Sequence, residues 1–155
     1  MTTTRRQILT TAIGLASLAP LAAFAKDAPA IHVMRDPGCG CCNAWIEILR
    51  KDGFTVTEQR SSNSLLVQFK TDKGIPRRMM SCHTGEIEGY VVEGHVPGAD
   101  IRRLLAERPD AIGLAVPGMP YGSPGMGPED EREAYEVFLI RRDGSIEVFT
   151  KYDAA

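Results

Sequence analysis

The sequence predicts an α/β fold, on three observations. The apolar run Ile31-His32-Val33-Met34 has the length of a buried strand and ends at the turn signal Asp36-Pro37-Gly38. Ala44-Trp45, Ile48 and Leu49 then recur at helical spacing as far as Gly53, a stop signal. Near the other end, Asp143-Gly144 separates two strand-like runs, 135–140 and 145–151, which is the pattern of a β-hairpin.

The remaining elements follow in order between these anchors. Phe54-Thr55-Val56-Thr57 alternates as a second strand. Residues 61–64 cap a short helix that carries Leu65, Leu66 and Phe69 and stops near Gly74. After Pro76, residues 79–82 read as a third strand, His83-Thr84-Gly85-Glu86 as a turn, and 87–93 as a fourth strand. Pro97-Gly98-Ala99-Asp100 opens a helix through Glu107, with Ile101, Leu104 and Leu105 on one face. Residues 111–127 are dense in Gly and Pro and read as a loop. A strand-helix-strand half followed by a strand pair and a helix is the thioredoxin-like order. The expectation is therefore a thioredoxin-like fold with a C-terminal β-hairpin. In that layout Cys39-Gly40-Cys41-Cys42 lies at the first strand-to-helix turn, and Pro76 is the expected analogue of the cis-proline facing it.

The first 25 residues read as an export signal. Arg5 and Arg6 supply the positive start, residues 8–21 an uncharged apolar stretch, and Ala23-Phe24-Ala25 a small-x-small cleavage pattern. Thr4-Arg5-Arg6-Gln7-Ile8-Leu9 also looks like a twin-arginine signal, the kind that exports folded proteins. Residues 26–155 then form a single mature domain of 130 residues, enough for one core. Its Lys and Arg fall from 18 to 16 against 20 acidic residues, a net charge of −4. With no basic stripe, nucleic acid is not an expected partner. No later run reaches membrane-spanning length. The expected location is the periplasm, an oxidising compartment.

Three of the chain's four cysteines fall within four positions, Cys39, Cys41 and Cys42. Flanked by Gly38 and Gly40, they do not read as core residues. Adjacent Cys41 and Cys42 make a strained bridge, so a two-disulfide staple explains the spacing poorly. Two chemistries remain open. Cys39 and Cys42 have the C-x-x-C spacing of a thiol-disulfide exchanger, at a helix N-terminus that favours thiolate. A third thiol at Cys41 is superfluous for exchange and suits a soft cation, with Cu(I) first and zinc second. Cys82 is read as a fourth ligand or a resolving thiol. His83 is a candidate outer ligand or a backbone-bonded turn residue. His95 either lines the same end of the sheet or bonds a loop carbonyl, and His32 reads as structural. Met119 and Met126 lie in the Gly/Pro loop without helical spacing, as thioether guides for Cu(I) or as gap fillers. Trp45 reads as a helix anchor that shields the sulfurs.

Several stretches carry a resemblance. They are Cys39-Gly40-Cys41-Cys42 with Trp45, Gly74-Ile75-Pro76, and Ser81-Cys82-His83-Thr84. Gly89-Tyr90-Val91-Val92-Glu93-Gly94-His95-Val96-Pro97, Gly113-Leu114-Ala115-Val116-Pro117-Gly118-Met119-Pro120 and Gly122-Ser123-Pro124-Gly125-Met126 complete them. With them the chain resembles the CopG-like periplasmic copper-resistance proteins. The resemblance implies a thioredoxin-like fold, a periplasmic location and a multinuclear copper-thiolate cluster on Cys39, Cys41, Cys42 and Cys82. The function expected is an exported copper-binding protein for copper tolerance, holding more than one Cu(I), with Cu(I)/Cu(II) interconversion as an extension. The alternative is a periplasmic thiol-disulfide oxidoreductase with Cys39 and Cys42 as its catalytic pair. Expected partners are copper ions, then periplasmic copper carriers or efflux components.

Overall fold

The computed structural model describes residues 28–155, so the expected export signal lies outside the described residues. Strand β1 (Ala30–Arg35) alternates as strands do, with Ile31, Val33 and Arg35 pointing inward. Helix α1 (Gly40–Lys51) buries Cys42, Trp45, Ile46 and Leu49, one stripe at spacings of three and four. Ile46 takes the place in that stripe that the sequence assigns to Ala44, which is exposed. Burying Trp45, Ile46 and Leu49 contributes about 1.5–3 kcal/mol each. Arg50 and Lys51 complement the negative end of the helix, and Gly53 turns the chain at φ +85°.

Strand β2 (Thr55–Arg60) runs parallel to β1, with Ile31 opposite Val56. Helix α2 (Asn63–Asp72) starts after Ser62, and a short 3-10 turn follows at Arg77–Met79. Strands β3 (His83–Ile87) and β4 (Tyr90–Glu93) form an antiparallel hairpin, with β3 antiparallel to β1. Helix α3 (Gly98–Glu107) buries Ile101, Leu104 and Leu105, as its spacing predicts. Strand β5 (Ala111–Ala115) pairs parallel with β4. Strands β6 (Tyr135–Arg141) and β7 (Ile146–Tyr152) close the fold as the hairpin expected around Asp143-Gly144. The sheet order is β2-β1-β3-β4-β5-β6-β7.

The larger core lies between the sheet and helices α1 and α3, built on Val33, Trp45, Leu49, Val92, Leu104 and Leu114. Helix α2 is on the opposite face, where Lys70 and Lys73 pair with Glu93 and Glu86. That face has a smaller apolar cluster of Ile75, Met79, Val91, Ala115 and Ile140.

Three expectations are corrected. The third strand begins at His83 rather than Met79, because Met79 closes the 3-10 turn by donating its N–H to the Pro76 carbonyl at 2.7 Å. The turn moves from His83-Thr84-Gly85-Glu86 to Glu88-Gly89, both at positive φ. Residues 111–115 are a strand rather than loop. Gly113, which reads as a breaker, is needed there because a Cβ would collide with the backbone of Val91. In addition, no peptide bond among the described residues is cis, so Pro76 does not match the expected cis-proline.

Candidate metal centre

Strand β1 delivers the cysteine turn to one end of the sheet, and Arg35 anchors it. Its buried guanidinium makes two hydrogen bonds to Glu58 Oε2, at 2.7 and 2.9 Å, and donates to the Asp36 carbonyl at 3.0 Å. The Gly38 N–H bonds the Asp36 carboxylate at 2.8 Å, which sets the turn. Cys39 is the N-cap of α1, its sulfur accepting the Cys42 N–H at 3.3 Å. The positive end of the helix dipole therefore points at sulfur.

Cys39 and Cys42 are joined by a disulfide, while Cys41 and Cys82 are free and half-buried. Cys41 Sγ lies 3.5 Å from Cys39 Sγ and 3.8 Å from Cys82 Sγ. All four sulfurs lie within 4.8 Å of one another. Cys82 also meets two imidazoles, His95 Nε2 at 3.2 Å and His83 Nδ1 at 3.3 Å. Cys82 thus belongs to two overlapping donor groups, one of four sulfurs and one of a sulfur with two histidines.

The histidines are held as neutral donors. His95 is fully buried and its Nδ1–H donates to the Pro124 carbonyl at 2.8 Å, leaving the Nε2 lone pair facing Cys82. A backbone carbonyl behind an imidazole is the usual way a ligand tautomer is fixed. Burial lowers the His95 pKa. Burial, then the neighbouring His95, push His83 well down. His83 packs at 4.3 Å on the Trp45 ring, and Trp45 donates its indole N–H to the Val96 carbonyl at 2.8 Å. Among the described residues, His83 Nε2 is a buried polar atom with no hydrogen-bond partner. Burial, with the Cys41 thiol next, pushes the Cys82 thiol up to about 12, so a metal binding there must displace its proton.

Two glycines allow this assembly. Gly94 has φ +72°, and a Cβ there would come within 2.5 Å of the Val116 carbonyl and 2.8 Å of Ser81. Gly125, at φ +85°, lies against the start of α1, where a Cβ would come within 2.7 Å of the Trp45 backbone nitrogen. That contact seats Pro124 beside His95. Gly125→Ala is accordingly expected to destabilise the fold by more than about 1 kcal/mol, read as a lower urea midpoint.

Of the residues singled out by sequence, Cys39, Cys41, Cys42, Cys82, His83 and His95 come together at this end of the sheet. His32 stays apart, its Nδ1 3.0 Å from Thr57 Oγ1. Met119 lines a groove of about 310 Å³ together with Met80, Ser81, Cys82 and Gly118. Met126 instead closes the turn from Gly122, whose N–H its carbonyl accepts at 3.1 Å. Sequence reasoning missed Glu93, Lys70 and Met80. The signal for Glu93 was a lone carboxylate after the apolar Val91-Val92 and before Gly94-His95.

The fold and the site define a cysteine-rich α/β protein with donors suited to a soft metal ion. A family described as "Protein of unknown function, DUF411" matches residues 79–126. Two solved structures, described as copper resistance protein CopG in Form 1 and Form 2, match with TM-scores of 0.76 and 0.75. They are 47% and 48% identical to this chain, cover 82% and 81% of it, and are themselves covered over 99% and 98% of their length. A search of curated proteins found no match. The chain belongs to the CopG copper-resistance family. No helix among the described residues is long and apolar enough to cross a membrane.

Proposed function

We propose that this protein is exported to the periplasm and serves copper tolerance by holding more than one Cu(I) on Cys39, Cys41, Cys42 and Cys82. The reading takes the signal at residues 1–25, in its twin-arginine form, as the export route and residues 26–155 as one thioredoxin-like domain. The order β1-α1-β2-α2-β3-β4-α3 supports that fold reading. The single observation that carries the function is the convergence of four sulfurs within 4.8 Å, one of them touching two neutral imidazoles. Thiolate is the preferred donor for Cu(I), and sulfurs this close can bridge ions. His83 Nδ1 and His95 Nε2, both facing the Cys82 sulfur, complete a donor set that fits such a cation. Copper is the cargo here, and the same donors accept zinc. Taking up a full four-thiolate load first requires the Cys39–Cys42 bond to accept two electrons and two protons. Interconverting Cu(I) and Cu(II) transfers one electron per ion and needs a separate acceptor, so the reading stops at binding.

The test is an anaerobic Cu(I) titration of the reduced protein against a chromophoric chelator. The expected result is tight binding of more than one copper per chain, with copper lost in Cys41→Ser. Weak binding would overturn it.

The Cys39–Cys42 disulfide favours a second reading, thiol-disulfide exchange. In it an external thiolate attacks one sulfur of the pair, a mixed disulfide forms, and the released thiolate takes a proton. A second external thiol then completes the two-electron reduction. That activity survives Cys41→Ser, whereas tight multi-copper binding does not, so one variant separates the two readings.

A further inference from the structure

Cys82 lines a groove that opens beside the site, and of the four cysteines it is the one that does so. The walls are Met80, Ser81, Gly118 and Met119. Two separate chain segments build them, and they are tied together. Ser81 Oγ donates to the Gly118 carbonyl at 2.5 Å, and Gly118 turns at φ +72° immediately before Met119, which lines the groove. Met79 is buried in the smaller core, and Met80 next to it is half-buried, packing against that core while also lining the groove. Met119 is 55% exposed and lines the same groove as the Cys82 sulfur, so its thioether is open to solvent beside the site.

We propose that Met80 and Met119 form a thioether landing site that receives Cu(I) in this groove and passes it to Cys82. This rests on the copper reading above and adds the route by which the ion arrives. Cu(I) in solution is always ligated, so it reaches the thiolates by ligand exchange. Neutral thioethers suit the first exchange, because they bind Cu(I) but hold it more weakly than thiolate does. No carboxylate lines the groove, so hard divalent cations find no ligand there. The step involves no redox change. One Cu(I) leaves its carrier for sulfur, and the Cys82 proton goes to solvent as the thiolate takes the ion.

The experiment combines a kinetic and a spectroscopic arm on the reduced protein. Cu(I) is supplied as its bicinchoninate complex and loading is followed by stopped flow. The Met80→Leu/Met119→Leu double variant, a volume-conserving change, is expected to take up the same number of copper ions, at a rate at least about tenfold lower. Methyl-labelled methionine NMR is expected to show the Met80 and Met119 signals moving at substoichiometric Cu(I). An unchanged loading rate, or unmoved methyl signals while the sulfurs fill, would overturn the proposal. Shifts of those two methyls in a protein whose sulfurs fail to bind copper tightly would uphold the landing site and sink the cluster reading instead.

Discussion

Glu93→Leu is expected to destabilise the fold by about 3–5 kcal/mol, the usual cost of stranding one partner of a buried ion pair. Glu93 is fully buried and pairs with Lys70, which is 2% exposed. The same carboxylate accepts the Ser81 N–H and the Thr84 hydroxyl, each at 2.5 Å. Burial pushes the Glu93 carboxyl up, and Lys70 and the two donors pull it back. Removing it leaves an ammonium, an amide and a hydroxyl without partners in a site closed to water. The urea midpoint should fall accordingly. The Lys70→Met/Glu93→Leu double variant should recover much of the loss, because no charge is then left unpaired. If the single variant were as stable as the wild type, the pair would be stabilising nothing. The effect should also reach the sulfurs. Ser81 immediately precedes Cys82, so freeing its N–H loosens the loop that sets Cys82 against His95. Copper affinity should weaken even at temperatures where the variant remains folded.

This ion pair also shows where the sequence could be read and where it could not. Helices α1 and α3 and the final hairpin were legible because each carries its own local signal: a period of three to four, or Asp143-Gly144 between strand-like runs. The cysteines were legible because packing accounts for Cys42 alone, in the buried stripe of α1, and not for three sulfurs in four positions. The β3 strand was not, because apart from Ile87 its buried side chains are polar. His83 is buried against Trp45, and Thr84 is buried against Glu93. A strand whose buried side chains are satisfied by partners far along the chain looks like a turn when read locally. Strand β5 was hidden for a related reason. Its Gly113 answers to the neighbouring backbone of Val91, a constraint that appears only once β4 and β5 pair. The convergence of His95 on Cys82 depends on Pro124, 29 residues away, which no spacing rule registers.

Cys82→Ser is expected to lower copper affinity more than any change behind the imidazoles, which by themselves cost about 10–100-fold when an outer partner is lost. The reason is connectivity. Cys39, Cys41 and Cys42 come from one turn and stay close to one another whatever the rest of the fold does. Cys82 comes from a separate segment, just before the neighbouring strand β3, and is the shared member of both donor groups. It lies 3.8 Å from Cys41 and within 3.3 Å of both His83 and His95. A serine at position 82 keeps the size and a hydrogen bond to His95, so the fold should remain near wild-type stability. Its hard oxygen is a poor ligand for Cu(I), so the imidazole nitrogens lose the ion they would share with sulfur. The copper count per chain should drop by at least one, and the remaining copper should exchange more easily with a chelator. The thiol-disulfide reading expects something different, since the Cys39–Cys42 bond forms and breaks without Cys82. A serine variant with full copper capacity would detach Cys82 from the metal and leave the two histidines without a function at this site.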